Sequence, residues 1–260
     1  MADSYFTTDD GHWFTPTELA RGPWDVDGCH AGPPTGLMVR AMERLLPGQP
    51  LVRFTVELMR PIPMSGFVVQ AEIRRPGRQV GLTEAEILGE EHVYARAFGV
   101  HVRELPLDVP TVDVATPVFA DSVPGPFPIQ ETTHGLTMFA DSIECRYDPR
   151  YSIGEGGETL IWLRPRVPLL ADEEPSPAQR ICPLADSGNG ISWNAYLDEV
   201  QFINPDLTVW LHRPPVGEWH ASHTRSHWQP TGIGAAEAAL FDTEGPVGGA
   251  VQTLLLFPPG

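Results

Sequence analysis

Apolar and polar side chains alternate with a period of two along much of this chain. Val52, Phe54, Val56 and Leu58 interleave with Arg53, Thr55 and Glu57, which marks a strand with one buried face. Phe67, Val69, Ala71 and Ile73 repeat the pattern. Residues 79–88 and 93–102 read as two further strands, with Pro76-Gly77 and Gly89-Glu90 as turns. Later in the chain, strands are predicted over 206–213, 219–227, 232–242 and 247–257, and Glu244-Gly245 turns the last pair. Two segments switch to helical spacing. Leu37, Met38, Ala41, Met42 and Leu45 form one stripe after Gly32-Pro33-Pro34, and Pro47-Gly48 ends it. Ser176-Pro177-Ala178-Gln179 has capping-box spacing with proline at the first helical position. Ala178, Ile181, Cys182 and Ala185 form the second stripe, Pro183 is expected to distort it, and Gly188 and Gly190 mark its end.

The pattern occurs twice. A shift of 153 positions, without a gap, sets Thr55-Val56 on Thr208-Val209, Leu58 on Leu211 and Arg60-Pro61 on Arg213-Pro214. It also sets Gly81 on Gly234, Glu84-Ala85 on Glu237-Ala238 and Ala97 on Ala250. Each half therefore reads as a helix followed by an antiparallel strand run. An earlier strand or hairpin precedes each: His12–Trp24 in the first half, Met138–Arg146 with Thr159–Arg166 in the second. Residues 1–104 and 132–260 are the two expected modules, joined by a Pro-rich surface linker over 105–131. One helix cannot cover such a sheet, so the two halves are expected side by side as one continuous α+β sheet carrying both helices.

Composition narrows the function. The chain has 260 residues, enough for a substantial core. No apolar run has bilayer-spanning length. The acidic start, Met1-Ala2-Asp3-Ser4, lacks an apolar signal segment, which predicts a cytoplasmic protein. The net charge is −17 and all 17 basic residues are Arg. This argues against nucleic acid or an anionic membrane surface as partner. Cys29, Cys145 and Cys182 are too scattered for a disulfide framework or a zinc site. His212, His220, His223 and His227 lack metal-ligand spacing, and there is no Gly-x-Ser-x-Gly elbow. His12 and His30 read as local hydrogen-bonding residues.

Asp186 stands out. It falls on the apolar stripe of the second helix, where a carboxylate is costly without a partner or a task. Aligning the helices sets it over Met42, so one half has an acid where the other has a methionine, and one site per chain is expected. Gln252 is the polar exception on a face shared with Gly248, Ala250 and Leu254, and its repeat partner is Gly99. An amide satisfied by neighbouring backbone explains it as well. Asn204, in Asn204-Pro205-Asp206, is either a site residue or a turn cap.

Several motifs in order resemble a known family. They are Gly32-Pro33-Pro34-Thr35-Gly36-Leu37, Leu58-Met59-Arg60-Pro61-Ile62-Pro63 and Gly77-Arg78 in the first half. The second half has Ala185-Asp186-Ser187-Gly188-Asn189-Gly190, Asn204-Pro205-Asp206-Leu207, His212-Arg213-Pro214 and Gly217-Glu218-Trp219, then Gly232-Ile233-Gly234, Asp242, Gly245 and Gln252-Thr253. Together they resemble the double-hotdog acyl-CoA thioesterases of type II (TesB-like), over nearly the whole chain except the linker. The resemblance implies two tandem hotdog modules and hydrolysis of an acyl-CoA thioester by water, without a metal or organic cofactor. It implies a catalytic trio of Asp186, Gln252 and, where the family has threonine, Asn204. Asp186 would act as general base, with Asn204 and Gln252 holding the water. By analogy, the amides around Gly32 would stabilise the oxyanion. Arg74, Arg75 and Arg78 are candidates for the CoA phosphates. Family habit and exposed sheet edges favour a homo-oligomer. Two alternatives stay open: a non-catalytic acyl-CoA or lipid-binding module, and a hotdog hydratase or dehydratase. The latter use an Asp and His pair on one loop-helix segment, and no histidine follows Asp186 closely.

Overall fold

A computed structural model of the chain describes residues 2–129, 135–151 and 157–259. Strands β1 (Phe6–Thr7) and β2 (Trp13–Pro16) precede helix α1 (Gly32–Leu45), which leads into β3 (Leu51–Leu58), β4 (Phe67–Arg75), β5 (Val80–Leu88) and β6 (Val93–Val102). Then come β7 (Val123–Gly125), β8 (Ile143–Tyr147), β9 (Thr159–Pro165) and helix α2 (Pro177–Asp186). The chain ends with β10 (Gln201–Ile203), β11 (Asp206–Leu211), β12 (His220–Trp228), β13 (Ile233–Asp242) and β14 (Gly245–Phe257). The strands form one 14-stranded sheet in the order β1-β2-β4-β5-β6-β3-β11-β14-β13-β12-β9-β8-β7, with β10 also on β14. This is a double-hotdog layout with both helices on one face.

The repeat has a direct structural meaning. Strands β4 and β12 begin 153 residues apart, at Phe67 and His220, as do β5 and β13, at Val80 and Ile233. The halves join where β3 pairs antiparallel with β11. At that seam Thr55 faces its own repeat equivalent, Thr208, and their hydroxyls hydrogen-bond at 3.0 Å. The local two-fold axis therefore passes between these side chains. On the inner face, Phe54, Val56, Ala97, Val209 and Ala250 are buried, together with Leu37, Met38 and Met42 of α1 and Ile181, Cys182 and Ala185 of α2.

The helices run antiparallel in close contact. A Cβ at Gly32 would come within 2.8 Å of Pro183 Cα, so only glycine permits this approach at the start of α1. Pro33 and Pro34 have no N–H and so remove two of the unsatisfied donors of that first turn. At the other end, Ser176 caps α2 by accepting from Gln179 N–H at 3.2 Å. The capping box is only half formed, because the Gln179 amide turns to Glu43 (2.7 Å) instead of the Ser176 backbone.

The segment predicted as a linker divides in two. Residues 105–116 are exposed. From Phe119 the chain joins the fold: its ring packs 5.2 Å from Trp162 and 5.1 Å from Trp219, β7 pairs with β8, and Phe127 and Ile129 are buried. Residues 130–131 lie outside the described residues. The early strand or hairpin expected over His12–Trp24 is the strand β2, followed by a short turn, Glu18–Ala20. No helix among the described residues is long and apolar enough to cross a membrane.

Candidate active site

Asp186 closes α2 on the side of its buried stripe and is itself 6% exposed. The two amides predicted from the sequence both reach it. Gln252 Nε2 donates to the Asp186 carbonyl at 3.1 Å and to Oδ1 at 3.4 Å. Asn204 Nδ2 donates to the same Oδ1 and to the Asp206 carbonyl, both at 3.2 Å. The amides cannot turn round, because Asn189 occupies their oxygens. Its backbone N–H donates to Gln252 Oε1 (3.1 Å) and its Nδ2 to Asn204 Oδ1 (3.2 Å). The N–H groups of the two side-chain amides are thus committed to Asp186 and, for Asn204, also to the Asp206 carbonyl. In this arrangement they hold the Asp186 carboxylate. Asn189 was missed as a site residue, although its place in Asp186-Ser187-Gly188-Asn189-Gly190 set it one turn beyond the acid.

The other carboxylate oxygen meets a residue from the first half. His30 Nδ1 lies 3.1 Å from Asp186 Oδ2. His30, read from the sequence as a local hydrogen-bonding residue, thus also reaches Asp186 from the other half of the chain. The same Nδ1 is 3.1 Å from the Gly32 N–H and takes the place of a side-chain cap on α1. The ring stacks on Phe139 with centroids 3.9 Å apart, and Phe127 meets Phe139 edge-on. Burial holds the His30 imidazole below its ordinary pKa, against the opposing pull of Asp186.

Both side chains face a cavity of about 320 Å³ whose walls include Ile62, Phe127, Ile129, Met138 and Phe139. Trp24, Met59, Arg60 and Ile203 stand at the exposed part of its lining. No hydrogen bond or ion pair engages the Arg60 guanidinium among the described residues. The Ala31 N–H, just before α1, likewise has no partner among them and belongs to the lining.

Other predicted residues are placed differently. Gly32 is at the site, but its N–H is taken by His30 and is not free for an oxyanion. Arg74, Arg75 and Arg78 are not at this cavity. The nine residues of β4 carry their hairpin to the far end of α1, where Gln49 donates to the Gly77 carbonyl at 2.8 Å, and Arg74 is paired with Glu72 and Glu84. At that far end the counterpart of the acid is Met42, whose sulfur lies 2.9 Å from where a Gly99 Cβ would be. The nearby Glu43 carboxylate is occupied by Ser176 Oγ (2.8 Å) and Gln179. Burial pushes the Cys29 and Cys145 thiols up to about 12 and Cys182 well above its ordinary value, so none is a ready nucleophile. No metal-binding cluster occurs among the described residues. His223 and His227 pair with Glu158 and Glu237 instead.

Comparison with known proteins agrees with the fold. Structures similar over nearly the full chain include a hot dog fold protein of unknown function from Alicyclobacillus acidocaldarius, with 16% identity, TM-score 0.74 and 99% and 98% of the two chains covered. A tesB protein from Mycobacterium avium subs paratuberculosis has 14% identity, TM-score 0.72 and 97% and 96% coverage. An acyl-CoA thioesterase II TesB2 from Mycobacterium marinum has 14% identity, TM-score 0.63 and 98% and 95% coverage. At these identities they establish the hotdog fold. No curated protein matches the sequence. Family models for the acyl-CoA thioesterase N-terminal domain match residues 20–102 and for the C-terminal domain residues 113–256. The chain belongs to the acyl-CoA thioesterase family.

Proposed function

We propose that this thioesterase hydrolyses acyl-CoA to free fatty acid and CoA, with Asp186 activating the attacking water. The observation that carries this reading is a buried carboxylate held on Oδ1 by Asn204 and Gln252. Asp186 lines a largely apolar cavity suited to an acyl thioester. The thioester carbonyl is already electrophilic, so the site needs a base and an oxyanion donor. The unpartnered Ala31 N–H, at the positive end of α1, is the donor in this reading. Arg60 at the exposed lining is the cation for the CoA phosphates, in place of the Arg74 cluster. Asp186→Asn is expected to lower CoA release by at least roughly a hundredfold, the scale of general-base loss, with an unchanged circular dichroism spectrum. Wild-type turnover in that variant would remove the assignment. The His30–Asp186 pair also favours a second reading, addition of water to an enoyl thioester or its reverse. Loss of the enoyl chromophore without CoA release would establish that reaction instead.

A further inference from the structure

An imidazole nitrogen and a carboxylate oxygen 3.1 Å apart are close enough to pass a proton from one to the other. His30 Nδ1 has a single lone pair. When that pair is free it accepts the Gly32 N–H. When Nδ1 carries a proton it donates to Asp186 Oδ2 and the Gly32 amide is released. The two states exclude each other. The remaining polar groups around the acid have no such freedom, because Asn189 locks the amides of Gln252 and Asn204. The other ring nitrogen, Nε2, has no partner among the described residues, and the ring lines the cavity. Phe139, stacked on the ring and backed by Phe127, fixes its plane.

We infer that His30 is a catalytic acid of this site: it collects the proton that Asp186 takes from water and protonates the departing thiolate from Nε2. The inference rests on the hydrolytic reading above. Water oxygen bonds to the thioester carbon, the C=O electron pair moves onto oxygen, and the water proton passes to Asp186 Oδ2. That proton crosses to His30 Nδ1, which drops the Gly32 N–H and frees it toward the oxyanion. The oxyanion then re-forms C=O, the C–S bond breaks with its pair on sulfur, and sulfur takes the Nε2 proton. The products are a thiol and a carboxylic acid. As the acid ionises, Nε2 regains a proton and Nδ1 gives up the one it took. Burial disfavours the imidazolium, which makes it a ready donor.

Leaving-group dependence tests this. His30→Gln and His30→Phe, the latter keeping the stack on Phe139, are assayed with an acyl-CoA and with the same acyl group on thiophenol, a far more acidic thiol. General-acid help is worth roughly 10²–10⁴ only where the leaving group needs a proton. Both variants should therefore lose roughly a hundredfold or more in kcat/KM with acyl-CoA and under about tenfold with the thiophenyl ester. Equal losses on the two esters, or no loss on either, overturn the assignment. A series of thioesters on the wild-type enzyme gives an independent measure. A shallow dependence on thiol acidity is expected, and a steep one overturns the proposal even if the variants fold poorly. Asp186→Asn should slow both esters alike. If it slows neither, the hydrolytic reading fails, separately from any result at His30.

Discussion

His220 should make the fold acid-sensitive in a defined window. It opens β12 with the ring turned inward, 1% exposed, in a file of buried polar side chains that continues through Ser222, Thr224 and Ser226. Neither ring nitrogen has a hydrogen-bond partner among the described residues. Burial lowers its pKa from 6.5 to about 4, with Asp242 pulling the other way and Arg180 reinforcing the drop. Above pH 6.5 the ring is neutral in both folded and unfolded chains and contributes no pH dependence. Below that value the unfolded chain takes up the proton first, so stability falls by up to about 1.4 kcal/mol per pH unit until the folded ring titrates near pH 4. The loss across the window is about 3 kcal/mol. His220→Leu removes the titrating group and leaves the other carboxylates and histidines in place. Urea unfolding followed by tryptophan fluorescence, at half-unit steps from pH 7 to pH 4, gives both stability curves. The difference between variant and wild type should grow toward acid by that amount. Parallel curves would refute the reasoning, because they would mean the ring is solvated or hydrogen-bonded in both states.

Two further outcomes test the scaffold around the site. Gly32→Ala puts a methyl 2.8 Å from a backbone atom, Pro183 Cα. It should cost about 1–3 kcal/mol by overpacking and lower turnover by separating His30 from Asp186; unaltered Tm and rate would show that the helices yield easily. Asp242 is fully buried and accepts from Arg213 at 2.5 and 2.6 Å and from the Val216, Glu244 and Gly245 amides. Burial would raise its pKa, but the Arg213 and backbone hydrogen bonds outweigh this and hold it below its ordinary value. Its stabilisation is therefore present above the unfolded carboxyl pKa and is lost as pH falls below it, under the His220 window. Asp242→Asn should cost about 3 kcal/mol at neutral pH, the scale for breaking a buried pair, as read by denaturant midpoint.

Much of the scaffold was legible because the signals are local. Period-two alternation located β3 to β6 and β11 to β14, and the repeat aligned Thr55 with Thr208, which the structure then pairs across the seam. The acid was legible for a related reason: Asp186 interrupts a stripe that is otherwise apolar. His30 was not. Nothing in its own neighbourhood distinguishes it, and its contact exists only because Gly32 lets the start of α1 touch the end of α2. Asn189 escaped notice because its work is done on other amides through bonds that sequence spacing does not encode. The position of the Arg74 cluster, away from the Asp186 cavity, was not legible for the opposite reason. Charge density is visible in a sequence, whereas the direction in which β4 carries it is not. Phe127 and Ile129 were hidden by proline-rich surroundings that mask a short edge strand and the burial beyond it.

The seam at Thr55 and Thr208 joins two similar bodies through one polypeptide, and this covalent union permits divergence. In an assembly of identical copies, any substitution that equipped one end of the helix pair would be imposed on the other as well. In the proposed mechanism the end holding Met42 and the occupied Glu43 is released from chemistry and free to become plain packing, while Asp186 and His30 specialise at the opposite end. A change that improves cohesion at the retired end need not disturb turnover, so the two demands that usually compete within one hotdog pair can be met at separate addresses.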